Sequence, residues 1–369
     1  MSGTELDELR SVVRAALTAA VPESQVRAYM ESGANFDRAL WNRMANKMLL
    51  HGLAIPEALG GSGFTPVELG IVFEEMGRRL VPSPFFASIG LAATALLTAG
   101  TEQAKRDLLP SIADGSVIAT LGFSEDGGGW DERAVSASAA LAPGGDWMID
   151  GVKRYVPEAE LASLLLIVAR TPDGLGLFAV EPQAAGVGIE VELTMDQTRK
   201  LARITLSGTP AVLVSEPGDA WPALRRSLRL SAAYLAAEQC GGARQSLENA
   251  VAYAKDRIQF GEPIGALQTI KHKCADMMVD VEMARSALDD CLRAAADDDP
   301  SFEMLASVAK VFCSDAYFRC AAQTVQIHGG IGFTWEHSAH LYLKRAKTSQ
   351  AYLGTPTQHR ALVSTAIGL

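Results

Sequence analysis

The sequence predicts an α+β protein in three consecutive parts: an N-terminal helical domain (residues 1–115), a central antiparallel β domain, sandwich or barrel (116–218), and a C-terminal four-helix bundle (219–369). Apolar residues recur every three to four positions in the first part. Short β-rich runs separated by turn signals fill the second, and long apolar helical seams return in the third.

In the first part Leu40, Met44, Met48 and Leu49 mark one helix, and Leu69, Val72, Phe73, Met76 and Leu80 another. The second opens at Thr65-Pro66-Val67-Glu68, with threonine as N-cap, proline at the first helical position and glutamate at the third. Between them Pro56 to Gly63 reads as a glycine-rich turn without a P-loop lysine. In the middle part Val117–Thr120, Trp147–Ile149, Leu164–Val168, Gly176–Val180 and Ile204–Leu206 read as strands. No helical runs separate them, which disfavours a nicotinamide-type parallel sheet. In the third part Leu224, Leu228, Leu235, Leu247, Val251, Ala254 and Ile258 follow one face of a helix of about ten turns, with the spacing interrupted near Gly241-Gly242. Leu267 to Leu288 mark the next helix, Leu305 to Cys320 a third stopped by Gly329-Gly330, and Thr355-Pro356-Thr357-Gln358 caps the last.

A chain of 369 residues exceeds what one core serves, and 48% hydrophobic with 21% charged residues is globular rather than disordered. The balance of 33 basic and 43 acidic residues, −10 net, disfavours a general nucleic-acid binder. The five cysteines lie between Cys240 and Cys320 with no zinc-type spacing, so reduced, mostly buried thiols and no metal are expected. The first ten residues lack the apolar core of a signal peptide, and the longest apolar stretch, Ile89 to Ala99, is too short to span a bilayer. A cytoplasmic protein is therefore expected.

Two spaced motifs narrow the field. Arg257-Ile258-Gln259-Phe260-Gly261, with Ile264-Gly265, Gln268 and Lys271-His272 following, resembles the signature of the acyl-CoA dehydrogenase family, and Gln326 to Phe333 resembles that family's second signature. Phe123-Ser124-Glu125, Pro56 to Gly63 and the β-rich middle stand in the family's order. The resemblance implies a homo- or heterotetramer that binds FAD at subunit boundaries, oxidises an acyl-CoA thioester to its 2,3-enoyl form and passes electrons to an acceptor flavoprotein. It implies that Phe123, Ser124 and Tyr155 meet the isoalloxazine, that Arg257 grips the pyrophosphate with its two-donor fork, and that Phe260 and Gln268 contact the cofactor nearby. Gln326, Gly329 and Gly330 would meet the adenosine half from a neighbouring subunit, and Thr355 and Thr357 a helix N-terminus facing the cofactor. Tyr155-Val156-Pro157 replaces the family's Trp-Ile-Thr, so a hydroxyl and an N–H are absent there.

The reaction needs a carboxylate to take the Cα proton while flavin takes the hydride. Most members place that glutamate just before Gly-Thr, which here is Leu353; a minority place it twenty-nine residues before Phe260, which here is Ser231. Glu238 is the nearest acid on the same helix face, seven residues on and about 10 Å along the axis, and is the candidate base beside a reading as a buried structural carboxylate. Asp126 is a second acid near the flavin loop, with turn capping as the simpler account, and Trp335-Glu336-His337 with His340 reads as helix packing. Two functions therefore stand side by side: a working dehydrogenase with an unusual base, or a flavin-supporting subunit whose partner chain carries the base. The second is found in branches of the family that handle steroid side-chain thioesters, which the stretch Gly332 to His337 also resembles.

Overall fold

The computed structural model describes residues 3–31 and 36–369. The helices before the sheet are α1 (Gly3–Ala20), α2 (Glu23–Glu31), α3 (Arg38–Asn46), α4 (Pro66–Arg79), α5 (Thr94–Ala99) and α6 (Glu102–Ala113), with a π-helical run Phe86–Ala93 leading into α5. The strands are β1 (Ala119–Gly122), β2 (Ser138–Leu141), β3 (Trp147–Pro157), β4 (Leu164–Thr171), β5 (Gly174–Val180), β6 (Val187–Glu192) and β7 (Leu201–Leu213). Then follow α7 (Trp221–Asp256), the short pair β8 (Ile258–Gln259) and β9 (Glu262–Pro263), α8 (Gln268–Ala296), α9 (Phe302–His328), α10 (Ala339–Ala351) and α11 (Pro356–Ala366). No helix among the described residues is long and apolar enough to cross a membrane.

These elements form two compact units. The first combines residues up to Glu31, Pro66–Val81 and Ala232–Leu369; the second combines Ser32–Thr65 and Pro82–Ser231. In the first, α9 lies against α8, α10 and α11, and α1 lies along α4. Arg14 grips Glu75 with two bonds of 2.8 and 2.9 Å, and Arg10 reaches Glu74 at 2.5 Å, so charged forks hold α1 to α4. α4 and α7 cross at glycines: a Cβ on Gly77 would fall 1.9 Å from the Glu238 carbonyl oxygen, and one on Gly241 1.8 Å from that of Glu74. The apparent interruption at Gly241-Gly242 is thus a helix crossing, and α7 runs through it unbroken. Ile258 lies beyond the helix, in β8.

In the second unit the strand pairings run β1-β4-β2-β3-β7-β5, β5 returns to β4, and β6 flanks β7, so five strands close a ring. Closure agrees with a barrel, while purely antiparallel pairing does not hold: β1 and β2 both pair parallel to β4. The crossover between β1 and β4 is made by the β2–β3 hairpin instead of a helix, so strand spacing carried no sign of it. Ile149, Val156, Leu165, Ile167, Phe178, Ile204 and Leu206 fill the ring, with Trp147 edge-on to Phe178 at 5.4 Å. Leu40 and Met44 are buried on α3, while Met48 and Leu49 fall past its end.

Candidate functional site

In the second unit the loop after β1 carries Phe123 to Asp126. Phe123 is buried, stacked on Trp130 at 5.8 Å and near Trp221 at 6.2 Å. The Ser124 hydroxyl is buried and meets no hydrogen-bond partner among the described residues. Across from the loop β3 bulges between Lys153 and Val156, where three steps oppose two on β7. The bulge turns Tyr155 to φ 56° and leaves it partly exposed, with the Arg154 guanidinium 5.4 Å from its ring centre. Pro157 offers its carbonyl to the Thr120 hydroxyl at 2.7 Å.

In the first unit β8 and β9 form a hairpin with Phe260-Gly261 as its two-residue loop, both at positive φ (54° and 86°). That is the turn geometry glycine and asparagine favour, so phenylalanine there is strained, and its ring stands 91% exposed. Arg257 and Gln268 flank the hairpin, both exposed. At the end of α9 the His328 ring lies between Tyr253 (4.1 Å) and His337 (4.2 Å), and its Nδ1 donates to the Thr324 carbonyl at 2.7 Å. Burial, partly offset by that bond, lowers the His328 pKa, so the ring is neutral at pH 7. Gln326, Gly329 and Gly330 are exposed, and a Cβ on either glycine would meet nothing within 4 Å. Trp335 is 60% exposed, between Lys344 and His340, which α10 carries.

The base positions are filled otherwise. Leu353 is buried at φ 58°, with the His359 Nε2 2.9 Å from its carbonyl. The next residues form the expected capping box: Gln358 N–H donates to the Thr355 hydroxyl, and Thr355 N–H to the Gln358 side chain at 2.8 Å, leaving Thr357 exposed on the first turn of α11. Ser231 donates its hydroxyl to the Gly90 carbonyl at 2.7 Å. Glu238 is buried, and its carboxylate accepts from Arg345 of α10 at 2.6 Å, both side chains being nearly inaccessible. Asp126 is exposed and paired with Arg154 at 2.6 Å. None of these carboxylates stands unengaged in a cleft.

The donor set fits a flavin nucleotide. Taken unit by unit, the Ser124 hydroxyl without a protein partner in the second suits an isoalloxazine edge, and in the first the exposed Arg257 guanidinium suits a pyrophosphate and the open Gly329-Gly330 pair an adenosine. Sequence reasoning passed over Lys153, Arg154 and Arg345. Lys153 follows Ile149 and Gly151 at the two-residue period of an inward strand face, and a lysine in that register was the available sign of a buried ion pair.

Three family descriptions match the chain in order: acyl-CoA dehydrogenase N-terminal domain at residues 3–116, middle domain at 120–206 and C-terminal domain at 218–368. Acyl-CoA dehydrogenase IpdE2 of Mycobacterium tuberculosis is 34% identical over 357 residues, covering 96% of this chain and 94% of the relative. Among solved structures, a variant of the Tcur3481–Tcur3483 steroid ACAD aligns at 32% identity and TM-score 0.89, covering 99% of this chain and 98% of the other. The ChsE4–ChsE5 complex from Mycobacterium tuberculosis aligns at 25% identity and TM-score 0.89, with 100% and 98% covered.

Proposed function

Because the chain belongs to the acyl-CoA dehydrogenase family, whose members are flavoprotein oxidoreductases, we propose that it is the FAD-supporting subunit of a heteromeric acyl-CoA dehydrogenase. The complex would oxidise an acyl-CoA thioester to the 2,3-enoyl form, with the Cα proton taken by a carboxylate of the partner chain. The observation that carries the reading is the state of the base positions: Leu353 has no ionisable group, the Ser231 hydroxyl is committed to Gly90, and Glu238 is engaged by Arg345. The names of two aligned structures, each pairing two components, support a heteromer.

Bound FAD supplies the acceptor for the Cβ hydride. Arg257 offers its fork to the pyrophosphate, and Phe260 and Gln268 flank it from the hairpin and the first turn of α8. Gln326, Gly329 and Gly330 present backbone and amide to the adenosine half, and Thr355 and Thr357 present a helix N-terminus. Phe123, Ser124 and Tyr155 would meet the isoalloxazine, with the unpartnered Ser124 hydroxyl as a donor to it and the aromatic rings keeping water out. Glu238 holds α7 to α10 through Arg345. The enzyme's electrons pass to an acceptor flavoprotein.

Anaerobic bleaching of the flavin by a panel of acyl-CoA thioesters tests the proposal. The chain alone is expected to hold FAD and not to bleach, the chain coexpressed with a second family member to bleach, and Leu353→Glu to give the isolated chain measurable bleaching. Bleaching by the isolated wild-type chain at the rate of the complex, abolished in Glu238→Gln, would instead make Glu238 the base.

A further inference from the structure

The two segments assigned to the isoalloxazine, Phe123–Asp126 and the β3 bulge at Tyr155, are tied together by charged groups of the chain itself. Lys153 is completely buried, and its Nζ donates to Glu125 Oε1 at 2.6 Å and to the Phe123 carbonyl at 3.2 Å. Glu125 is satisfied on every side: Oε1 also accepts from the Ala137 N–H at 3.0 Å, and Oε2 from the Ser136 N–H at 2.9 Å and the Ser136 hydroxyl. The next residue continues the grip. Arg154 N–H donates to the Ser124 carbonyl at 2.8 Å, and its guanidinium bridges Asp126 at 2.6 Å and Glu192 at 2.5 Å.

These bonds surround a buried side-chain hydroxyl in the loop that nothing among the described residues holds. The Ser124 hydroxyl has no protein partner, so its direction is set by its backbone, which is fixed from below by Lys153 at the preceding carbonyl and from the side by the Arg154 N–H. Tyr155 follows directly, and its positive φ is imposed by the bulge whose first residue is Lys153. The Lys153 ammonium is already engaged by Glu125 and the Phe123 carbonyl, so any effect of Lys153 on the cofactor is transmitted through these neighbours. Burial lowers the Lys153 pKa to about 8 although Glu125 raises it, while Lys153 and the Ser136 and Ala137 bonds together outweigh burial and keep the Glu125 pKa below its usual value. Both are charged at pH 7, and removing one strands the other.

We propose that Lys153 and Glu125 are positioning residues that set the Ser124 hydroxyl and the Tyr155 ring together against the flavin, so that one buried ion pair fixes both halves of the ring site. The inference rests on the FAD reading above. It departs from a purely structural ion pair in one respect: its loss alters how flavin is held, beyond lowering stability.

The test uses the purified chain, with its partner if one is needed for solubility, in five forms: wild type, Lys153→Met, Lys153→Met with Glu125→Leu, Ser124→Ala, and the double variant with Ser124→Ala added. FAD dissociation, the visible spectrum of bound FAD and apoprotein melting are measured on each. The double variant leaves no stranded charge and is expected to fold. Both Lys153 variants are expected to raise the FAD dissociation constant about tenfold or more and to shift the bound-flavin spectrum. Adding Ser124→Ala to the double variant should then cost less affinity than it costs the wild type, because the hydroxyl is already misplaced. A double variant that melts lower but binds FAD with wild-type affinity and spectrum overturns the proposal and leaves the FAD reading intact. Wild-type protein that takes up no FAD overturns both.

Discussion

Non-glycine residues at positive φ are few, and three of the seven described here, Tyr155, Phe260 and Leu353, fall in segments that the sequence motifs single out. Such backbone costs about 1–3 kcal/mol per residue and persists where its surroundings over-determine it, commonly at functional sites. The motifs were legible because they are residue identities at fixed spacing. The strain was not, because a phenylalanine in a left-handed turn looks in sequence like any other phenylalanine. His51 is a different residue-scale case. It is fully buried between Trp41 at 4.0 Å and Phe85 at 5.3 Å, neither ring nitrogen meets a partner among the described residues, and burial, against a smaller opposing effect of Asp114, pushes its pKa down to about 3. The unfolded chain takes up a proton near pH 6.5 and the folded chain does not, so stability falls as the pH drops from about 6.5 toward 3. Denaturant unfolding at pH 6.5 and pH 5 is expected to show wild type losing about 1.5 kcal/mol more than His51→Leu over that interval. Equal losses would mean that the imidazole is protonated in place.

At the scale of elements, the helical periods located α4, α7, α8, α9 and α11 closely, since each helix displays its buried stripe locally. Strand partners are non-local, and the parallel pairs β1–β4 and β2–β4, the ring closure through β5 and the bulge in β3 left no comparable trace. Glycine was the ambiguous signal: it reads as a breaker in a helix, and at Gly241 it is what lets two helices touch. A methyl group there would lie 1.8 Å from a backbone carbonyl oxygen, which cannot move without moving α4. Gly241→Ala is therefore expected to destabilise the chain by about 3 kcal/mol or more, whereas Gly330→Ala, at an open position, should stay within about 0.5 kcal/mol of wild type. Comparable unfolding midpoints for the two variants would show that the α4–α7 crossing is loose.

At the scale of the whole molecule, some of the large apolar side chains exposed among the described residues lie beside the motifs assigned to the nucleotide. The apolar seam of α9 at Leu305, Val308 and Phe312 is the surface that the sequence suggests for contact between chains, but Leu305 and Val308 are partly covered and of the three only Phe312 is exposed. Exposed large side chains of the same unit include Phe260 in the hairpin, Ile331, 74% exposed Phe333 and Trp335 after α9, and Met278, Val279 and Met283 along α8. The first four lie within a few residues in sequence of Arg257 or of Gln326, Gly329 and Gly330, so on the FAD reading a contact between chains there would bury apolar rings and enclose the nucleotide end of the cofactor together. Each large side chain so covered contributes about 1.5–3 kcal/mol. Assembly and FAD retention should then be linked in both directions. Light scattering at micromolar concentration is expected to report a dimer or tetramer for the FAD-loaded chain, alone or with its partner, and dissociation on flavin removal. Phe333→Ser, in a residue that need not touch the flavin, is expected to weaken assembly and FAD binding together. A monomer that retains FAD at that concentration, or a Phe333→Ser variant that loses assembly but keeps FAD at wild-type affinity, would place the whole cofactor site within a single chain.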